Sequence, residues 1–204
     1  MEINHSCINR HANRHNTGQK KGPSSYWMQD ATPVFSRLNL KPGLSFLDLG
    51  CGPGDYSLHA ARVIGQTGKV YALDQNTKWI KEFSKRADQV DLNNIELVVA
   101  DILQPLPLEV HSIDVCLAAT VLHTFEDSTQ IRSIFNNVVT VLKPSGIFAV
   151  IECNPGEKHI GPPQHMRQAP ENLIAIAKSY DLTAGEKIDL GNNYMILFSN
   201  SNLD

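Results

Sequence analysis

The stretch "FLDLGCGPGDYS", residues 46–57, constrains the fold of this chain more than any other. An apolar run enters a turn holding Gly50, Gly52 and Gly54, then leaves into a helix-like segment. That is the pattern of a buried strand handing over to a helix through backbone that only glycine adopts cheaply. Such turns cradle nucleotides, because the N–H groups opening the helix face the ligand. Here two aspartates, Asp48 and Asp55, flank the turn, so the charge of the nucleotide becomes the question.

Strand and helix signals alternate along the rest of the chain. A short helix is expected at Ala31–Leu38, ended by Lys41-Pro42-Gly43. "LSFLDLG" reads as the first strand, followed by a helix through Tyr56–Ile64 and the strand "GKVYALD". A helix follows with Trp79, Ile80, Phe83, Ala87 and Val90 on one stripe, then the strands "IELVVAD" and "SIDVCLAA". In "DSTQIRSIFNNVVTVLKPSG" the spacing of Ile131, Ile134, Phe135, Val138, Val139 and Leu142 predicts a helix. Asp127 or Ser128 caps it and Pro144-Ser145-Gly146 ends it. "GIFAVIEC" is the fifth strand, a helix is expected near Pro170–Tyr180, and "KIDLG" and "YMILFS" read as a terminal hairpin.

Strands alternating with helices imply βαβ units. The expected fold is therefore α/β, a Rossmann-like doubly wound sheet, mostly parallel with an antiparallel C-terminal hairpin. Its 204 residues suit one domain, placed at 26–204, with 1–25 as a flexible, polar tail.

The totals exclude several function classes. Net charge is −3, which argues against a general nucleic-acid binder. No run approaches the ~18 apolar residues of a membrane span, and the polar N-terminus lacks the apolar stretch of a secretory signal, so a cytoplasmic location is expected. Cys7, Cys51, Cys116 and Cys153 lie far apart with no CxxC pair and read as reduced thiols. His5, Cys7, His11 and His15 cluster in the tail, but no apolar framework holds them, so no metal site is assigned.

In doubly wound sheets the ligand lies outside the carboxyl ends of the strands, at the first βα turn. A dinucleotide fingerprint, G-x-G-x-x-G, would have its third glycine where Asp55 stands. Asp74, about 20 residues on, meets the demand for a ribose-binding carboxylate, but any ligand with a free ribose diol would use it. Asp48 and Asp55 discriminate: they would repel a pyrophosphate and attract a cation. S-adenosylmethionine (SAM), with a sulfonium, an ammonium and no phosphate, fits.

At these residues the sequence resembles the class I SAM-dependent methyltransferases over roughly 26–199. "LDLGCGPG" matches that family's first motif at Asp48, Gly50, Gly52 and Gly54; "ALD", "VVADI" and "LKPSG" follow in order. The resemblance implies that Asp74 binds both ribose hydroxyls, with Gln75 beside it. It also implies that Asp101 and the Ile102 N–H read adenine, and that Cys51, Asp55 and Ala119 complete the cofactor site. SAM would be the methyl donor and S-adenosylhomocysteine the product.

The same resemblance points to the small-molecule, "methyltransferase type 11"-like branch. Asn/Asp-Pro-Pro-Tyr/Phe, common after strand four in nucleic-acid and glutamine methylating enzymes, is replaced here by "AATVLHTF". The implied partner is a small-molecule acceptor, and the protein is expected to be a monomer or homodimer. His123 either orients or deprotonates the nucleophile, or else caps the next helix or packs beside Phe125; these readings stay open. Tyr26 and Trp27 form a lid over the cofactor or pin the tail. Cys153 is a candidate substrate contact. Lys158, His159, His165 and Arg167 form a polar rim suited to an anionic acceptor. Two rival classes remain: an NAD-type Rossmann oxidoreductase and a non-catalytic protein that binds SAM or S-adenosylhomocysteine.

Overall fold

A computed structural model describes residues 24–156 and 161–200. The first strand, β1 (Ser45–Leu49), lies at the centre of a sheet because it is buried on both faces. Leu47 and Leu49 point to one side and Phe46 to the other, with Asp48 on the Phe46 side by the two-residue period. β1 pairs in parallel with β2 (Lys69–Asp74) and β4 (Ile113–Ala119). β2 pairs in parallel with β3 (Ile95–Val99), and β4 with β5 (Leu142–Cys153). Beyond β5 the direction reverses: β8 (Asn193–Asn200) runs antiparallel to it. β8 also pairs antiparallel with β6 (Leu182–Ala184) and β7 (Ile188–Asp189). The order is β3-β2-β1-β4-β5-β8-β6, with β7 also on β8.

Helices cover both faces. α1 (Ala31–Leu38) and α2 (Asp55–Ile64) pack Val34, Leu38, Tyr56, Ala60, Ala61 and Ile64 on the Phe46 side. On the same side Phe83 of α3 (Thr77–Ala87) is fully buried against Ala72 and Leu58. α4 (Ser128–Val141) and α5 (Pro170–Lys178) fill the other face with Ile134, Phe135, Val138 and Leu173. Asp127 caps α4, accepting from the Thr129 N–H at 2.8 Å.

The expected doubly wound sheet and its antiparallel end are present, with three differences. α4 ends at Val141, and Leu142 already belongs to β5. Leu142 opposes Ile113 and Ile147 opposes Val115, so Lys143–Gly146 forms an irregularity in the strand. Lys143 Nζ fixes it by donating to Asp114 Oδ2 at 2.8 Å. β6 is too short to show a two-residue pattern and exists through its pairing with β8. Ser24 and Ser25, at the expected end of the tail, belong to the body: Ser24 accepts from the Tyr26 N–H and Ser25 is buried. The rest of that tail lies outside the described residues.

The first turn is tied to the second strand. Both the Gly50 and Cys51 N–H groups donate to Leu73 O, at 2.8 and 2.9 Å. Gly54, at φ +83°, precedes α2, and a Cβ there would lie 2.5 Å from the Phe83 ring. Gly54→Ala therefore combines left-handed strain of about 1–2 kcal/mol with overpacking of about 1–3 kcal/mol. Its expected loss of about 2–5 kcal/mol is read from urea midpoints. Gly52→Ala, whose added carbon meets nothing within 4 Å, should lose only the left-handed strain, about 1–2 kcal/mol.

Candidate active site

A cavity of about 150 Å³ opens at the carboxyl edge of the sheet. The turn contributes Gly50, Cys51, Gly52 and Pro53; β1 contributes Asp48; the end of β4 contributes Ala119 and Thr120. Tyr56 of α2, Trp79 of α3 and the incoming Ser24-Ser25 complete the wall. Trp79, expected on the core stripe of α3, is thus turned to the cavity, while Ile80 and Phe83 take the core.

Asp48 sets the electrostatics. Its carboxyl is 1 % exposed and accepts from the Ser57 hydroxyl at 2.6 Å. No basic side chain among the described residues pairs with it. Burial pushes its pKa up to about 7; the Ser57 hydrogen bonds oppose that rise, and Asp74 and Asp55 add to it. Cys51 is a buried neighbour whose thiol is pushed well up by burial and by Asp48, so it is an inert wall residue.

The other flanking aspartate behaves differently. Asp55 does not line the cavity; Arg86 Nη2 donates to it at 2.6 Å, and Arg86 Nη1 donates to Pro53 O. Of the two flanking aspartates, only Asp48 is thus without a basic partner among the described residues, because α3 brings to Asp55 a guanidinium that the local sequence could not reveal. Gly54 likewise serves the packing of Phe83 and is not among the cavity-lining residues.

Asp74, at the end of β2, accepts from the Gly52 N–H at 2.9 Å and from the Asn76 N–H at 2.8 Å. These bonds fix its carboxylate beside the turn. Gln75 follows it, exposed. Asp101 accepts from the Leu103 N–H at 3.0 Å, and Asn137 of α4 holds the loop by donating to Ile102 O and Gln104 O. Asn137 was missed in the sequence, where it reads as a polar interruption of an apolar stripe. Gly52 carries the open face of the turn: φ is +51° and a Cβ there would meet nothing. A ligand therefore has room to approach this backbone.

Thr120 was also missed. It sits at φ +55°, a left-handed conformation that is uncommon for a β-branched residue, and its hydroxyl donates to Ala119 O at 2.7 Å. Strain of this kind persists where surrounding structure enforces it. Here the Thr120 N–H is held by Ile151 O at 2.7 Å.

His123 lies in the helical turn Leu122–Thr124 just after this point. Its Nδ1 is 2.9 Å from Oε2 of Glu152, a fully buried residue of β5. Glu152 Oε1 also accepts the N–H groups of Leu122 at 2.6 Å and His123 at 3.3 Å.

The expected acceptor-side residues are arranged differently from the expectation. Tyr26 hydrogen-bonds His59 at 2.9 Å and packs edge-on against Tyr56 and Trp27, pinning the segment to α2. Neither Tyr26 nor Trp27 lines the cavity; Ser24 and Ser25 do. Cys153 is buried away from the cavity lining, under Gly161. Arg167 donates to Pro162 O, Asn154 O and Gly156 O, so its guanidinium staples the loop instead of presenting a free cationic rim. Lys158 and His159, and the tail residues His5, Cys7, His11 and His15, lie outside the described residues.

Comparison with known proteins adds the following. Residues 40–199 match a family model described as a methyltransferase domain. The chain is 30 % identical over 126 residues to a demethylmenaquinone methyltransferase of Oceanobacillus iheyensis, covering 62 % of this chain and 50 % of that protein. It is 35 % identical over 113 residues to a 2-phytyl-1,4-naphtoquinone methyltransferase of Trichormus variabilis, covering 55 % and 48 %. The chain thus spans about half the length of the curated relatives it matches. A crystal structure of a SAM dependent methyltransferase from Aquifex aeolicus superposes with a TM-score of 0.77 at 22 % identity, covering 87 % of this chain and 92 % of that one. At that identity the likeness is one of fold. Among the described residues, no helix is long and apolar enough to cross a membrane.

The buried Asp48 makes stability depend on pH in a definite direction. Its folded pKa is raised above the unfolded value, so the folded protein holds a proton that the unfolded chain has released between about pH 4 and pH 7. Stability falls across that window and stays low above it, by up to about 4 kcal/mol. Asp48→Asn should therefore melt above wild type at pH 8, with the gap closing by pH 4.5, as followed by thermal denaturation.

Proposed function

The chain belongs to the methyltransferase domain family, and from that premise we propose that it transfers a methyl group from SAM to a small-molecule acceptor. One observation carries the reading: Asp48 is a buried carboxylate at the cavity wall with no basic partner among the described residues. A pyrophosphate would be repelled there, whereas a cation supplies the missing counter-charge. This disfavours an NAD-type oxidoreductase.

The residues present fit the donor. Gly52 leaves room over the turn, and Asp74 is fixed where it would accept a ribose diol. Asp101 and the Ile102 N–H would take the adenine, with Gln75 at the outer edge. Asp48 would face the cationic end, and Ala119 and Thr120 would flank the end where transfer occurs. Cys51 contributes a small, inert wall. When bound, SAM supplies a methyl group already activated by its sulfonium. The protein then has to align the nucleophile and exclude water. Tyr56, kept protonated because burial pushes its pKa well up, accepts from Gln29 Nε2 at 2.8 Å and so retains its own proton to donate.

For the acceptor, the named substrates of the sequence relatives support a quinol-like ring system as the class to test first. A catalytically silent SAM-binding protein would bind the same donor without turnover. Calorimetric titration of SAM, S-adenosylhomocysteine and NADH tests the cofactor. The two sulfur nucleosides should bind, and Asp74→Ala should weaken both by roughly tenfold to a hundredfold, as expected when charge-assisted hydrogen bonds are lost. SAM affinity should rise from pH 6 to pH 8 with proton release, because the ligand favours ionised Asp48. That dependence should vanish in Asp48→Asn. Binding of NADH alone would overturn the proposal.

A further inference from the structure

We propose that His123 and Glu152 form a base dyad, so that the methyl acceptor is one whose attacking atom must first lose a proton, such as a phenolic hydroxyl or a thiol. The inference rests on the function proposed above and concerns residues that no comparison assigns.

The dyad takes Glu152 as the accepting carboxylate. Its Oε1 accepts the Leu122 and His123 N–H groups, and its Oε2 lies 2.9 Å from His123 Nδ1. In that arrangement the shared proton sits on Nδ1. Nε2 then carries the lone pair, and among the described residues nothing hydrogen-bonds it. The side chain is 17 % exposed, and the dyad assigns its second nitrogen, Nε2, to the acceptor. The backbone turn that carries His123 is held by further bonds. The Phe125 N–H donates to Leu122 O at 3.1 Å, closing the turn. Gln168 Nε2 donates to Leu122 O and Phe125 O at 3.4 and 3.3 Å, from the segment before α5.

The dyad also lies close to the cavity along the chain. Thr120 lines the cavity, Val121 packs over Gly50, and His123, itself not among the cavity-lining residues, follows in the next helical turn. A carboxylate that holds an imidazole in one tautomer, so that the far nitrogen works as a base, is a recurrent catalytic device. In the step inferred here the acceptor's O–H or S–H bond breaks and its proton passes to His123 Nε2. The electron pair left on the acceptor forms the bond to the methyl carbon, and the carbon–sulfur pair returns to sulfur, leaving a neutral thioether. The proton on His123 then leaves to solvent. An acceptor with a free amine lone pair would need none of this. His123 is the catalytic residue of the pair, and Glu152 is a positioning residue acting through it.

The decisive variant is Glu152→Gln. Its amide oxygen still accepts the Leu122 and His123 N–H groups, which preserves the turn, but its NH₂ now faces Nδ1. The imidazole must then carry its proton on Nε2, where it blocks the base. Nitrogen-15 NMR of the histidine ring reads the tautomer without turnover, with His123→Asn supplying the assignment. The expected result is an Nδ1–H tautomer in wild type and an Nε2–H tautomer in Glu152→Gln. Methyl transfer from SAM to 1,4-naphthohydroquinone should fall by about 10²–10⁴-fold in both variants, with SAM affinity unchanged. An Nε2–H tautomer in wild type, or hydroquinone methylation equal in wild type and both variants, overturns the dyad. So does wild-type methylation of dimethylglycine but not of the hydroquinone or 2-mercaptoethanol. Calorimetry on the same samples separates the two proposals: failure to bind SAM removes the function, whereas binding with the wrong tautomer removes only the dyad.

Discussion

The tie between the first turn and the end of β2 organises the rest of the molecule. Leu73 O accepts two N–H groups from the turn, and Asp74 accepts a third from Gly52. Three bonds across neighbouring strands hold a glycine-rich segment that would otherwise sample many conformations. They fix where α2 begins and how closely α3 approaches Gly54. They also leave one face of the turn clear of side chains, and the cavity forms there.

Around that rigid turn the site carries two features that cost stability. Asp48 is buried without a basic partner among the described residues, and Thr120 is held in a left-handed conformation. Neither improves the packing of a free-standing domain. Both lie on the wall of the same cavity. Local violations of folding preference concentrate where a ligand supplies the compensation. The surrounding elements absorb the cost through an extensive core: β1, β4 and β5 are buried on both faces, and helices cover each side.

The opposite treatment of Asp48 and Asp55 shows how a fold assigns roles to similar residues. They lie seven positions apart and look equivalent in the chain. Asp48 is on a strand whose two-residue period points it at the start of α2, where Ser57 is its hydrogen-bond partner among the described residues. Asp55 opens α2 and faces Arg86, thirty-one residues away, on the next helix. The same contrast separates His123 from Arg167. His123 meets a buried carboxylate from β5, and its other ring nitrogen has no hydrogen bond among the described residues, whereas Arg167 is committed to the carbonyls of its own loop.

Much of this was legible in the chain itself. The alternation of apolar strands with amphipathic helices determined the α/β class, the first five strands and the position of the turn, since periodicity and glycine placement are local properties. So was the position of Asp74 at the end of the second strand, beside the turn. Tertiary structure alone decided that Leu142 joins β5, that β6 exists, that Trp79 faces the cavity, that Arg86 neutralises Asp55, and that Glu152 meets His123. Each of these depends on contacts between segments distant in sequence. Hydrogen bonds and ion pairs of that kind leave no periodic trace in the residues that make them. Sequence therefore set which elements form, and the packing of those elements decided which charges stayed unpaired and open to a ligand.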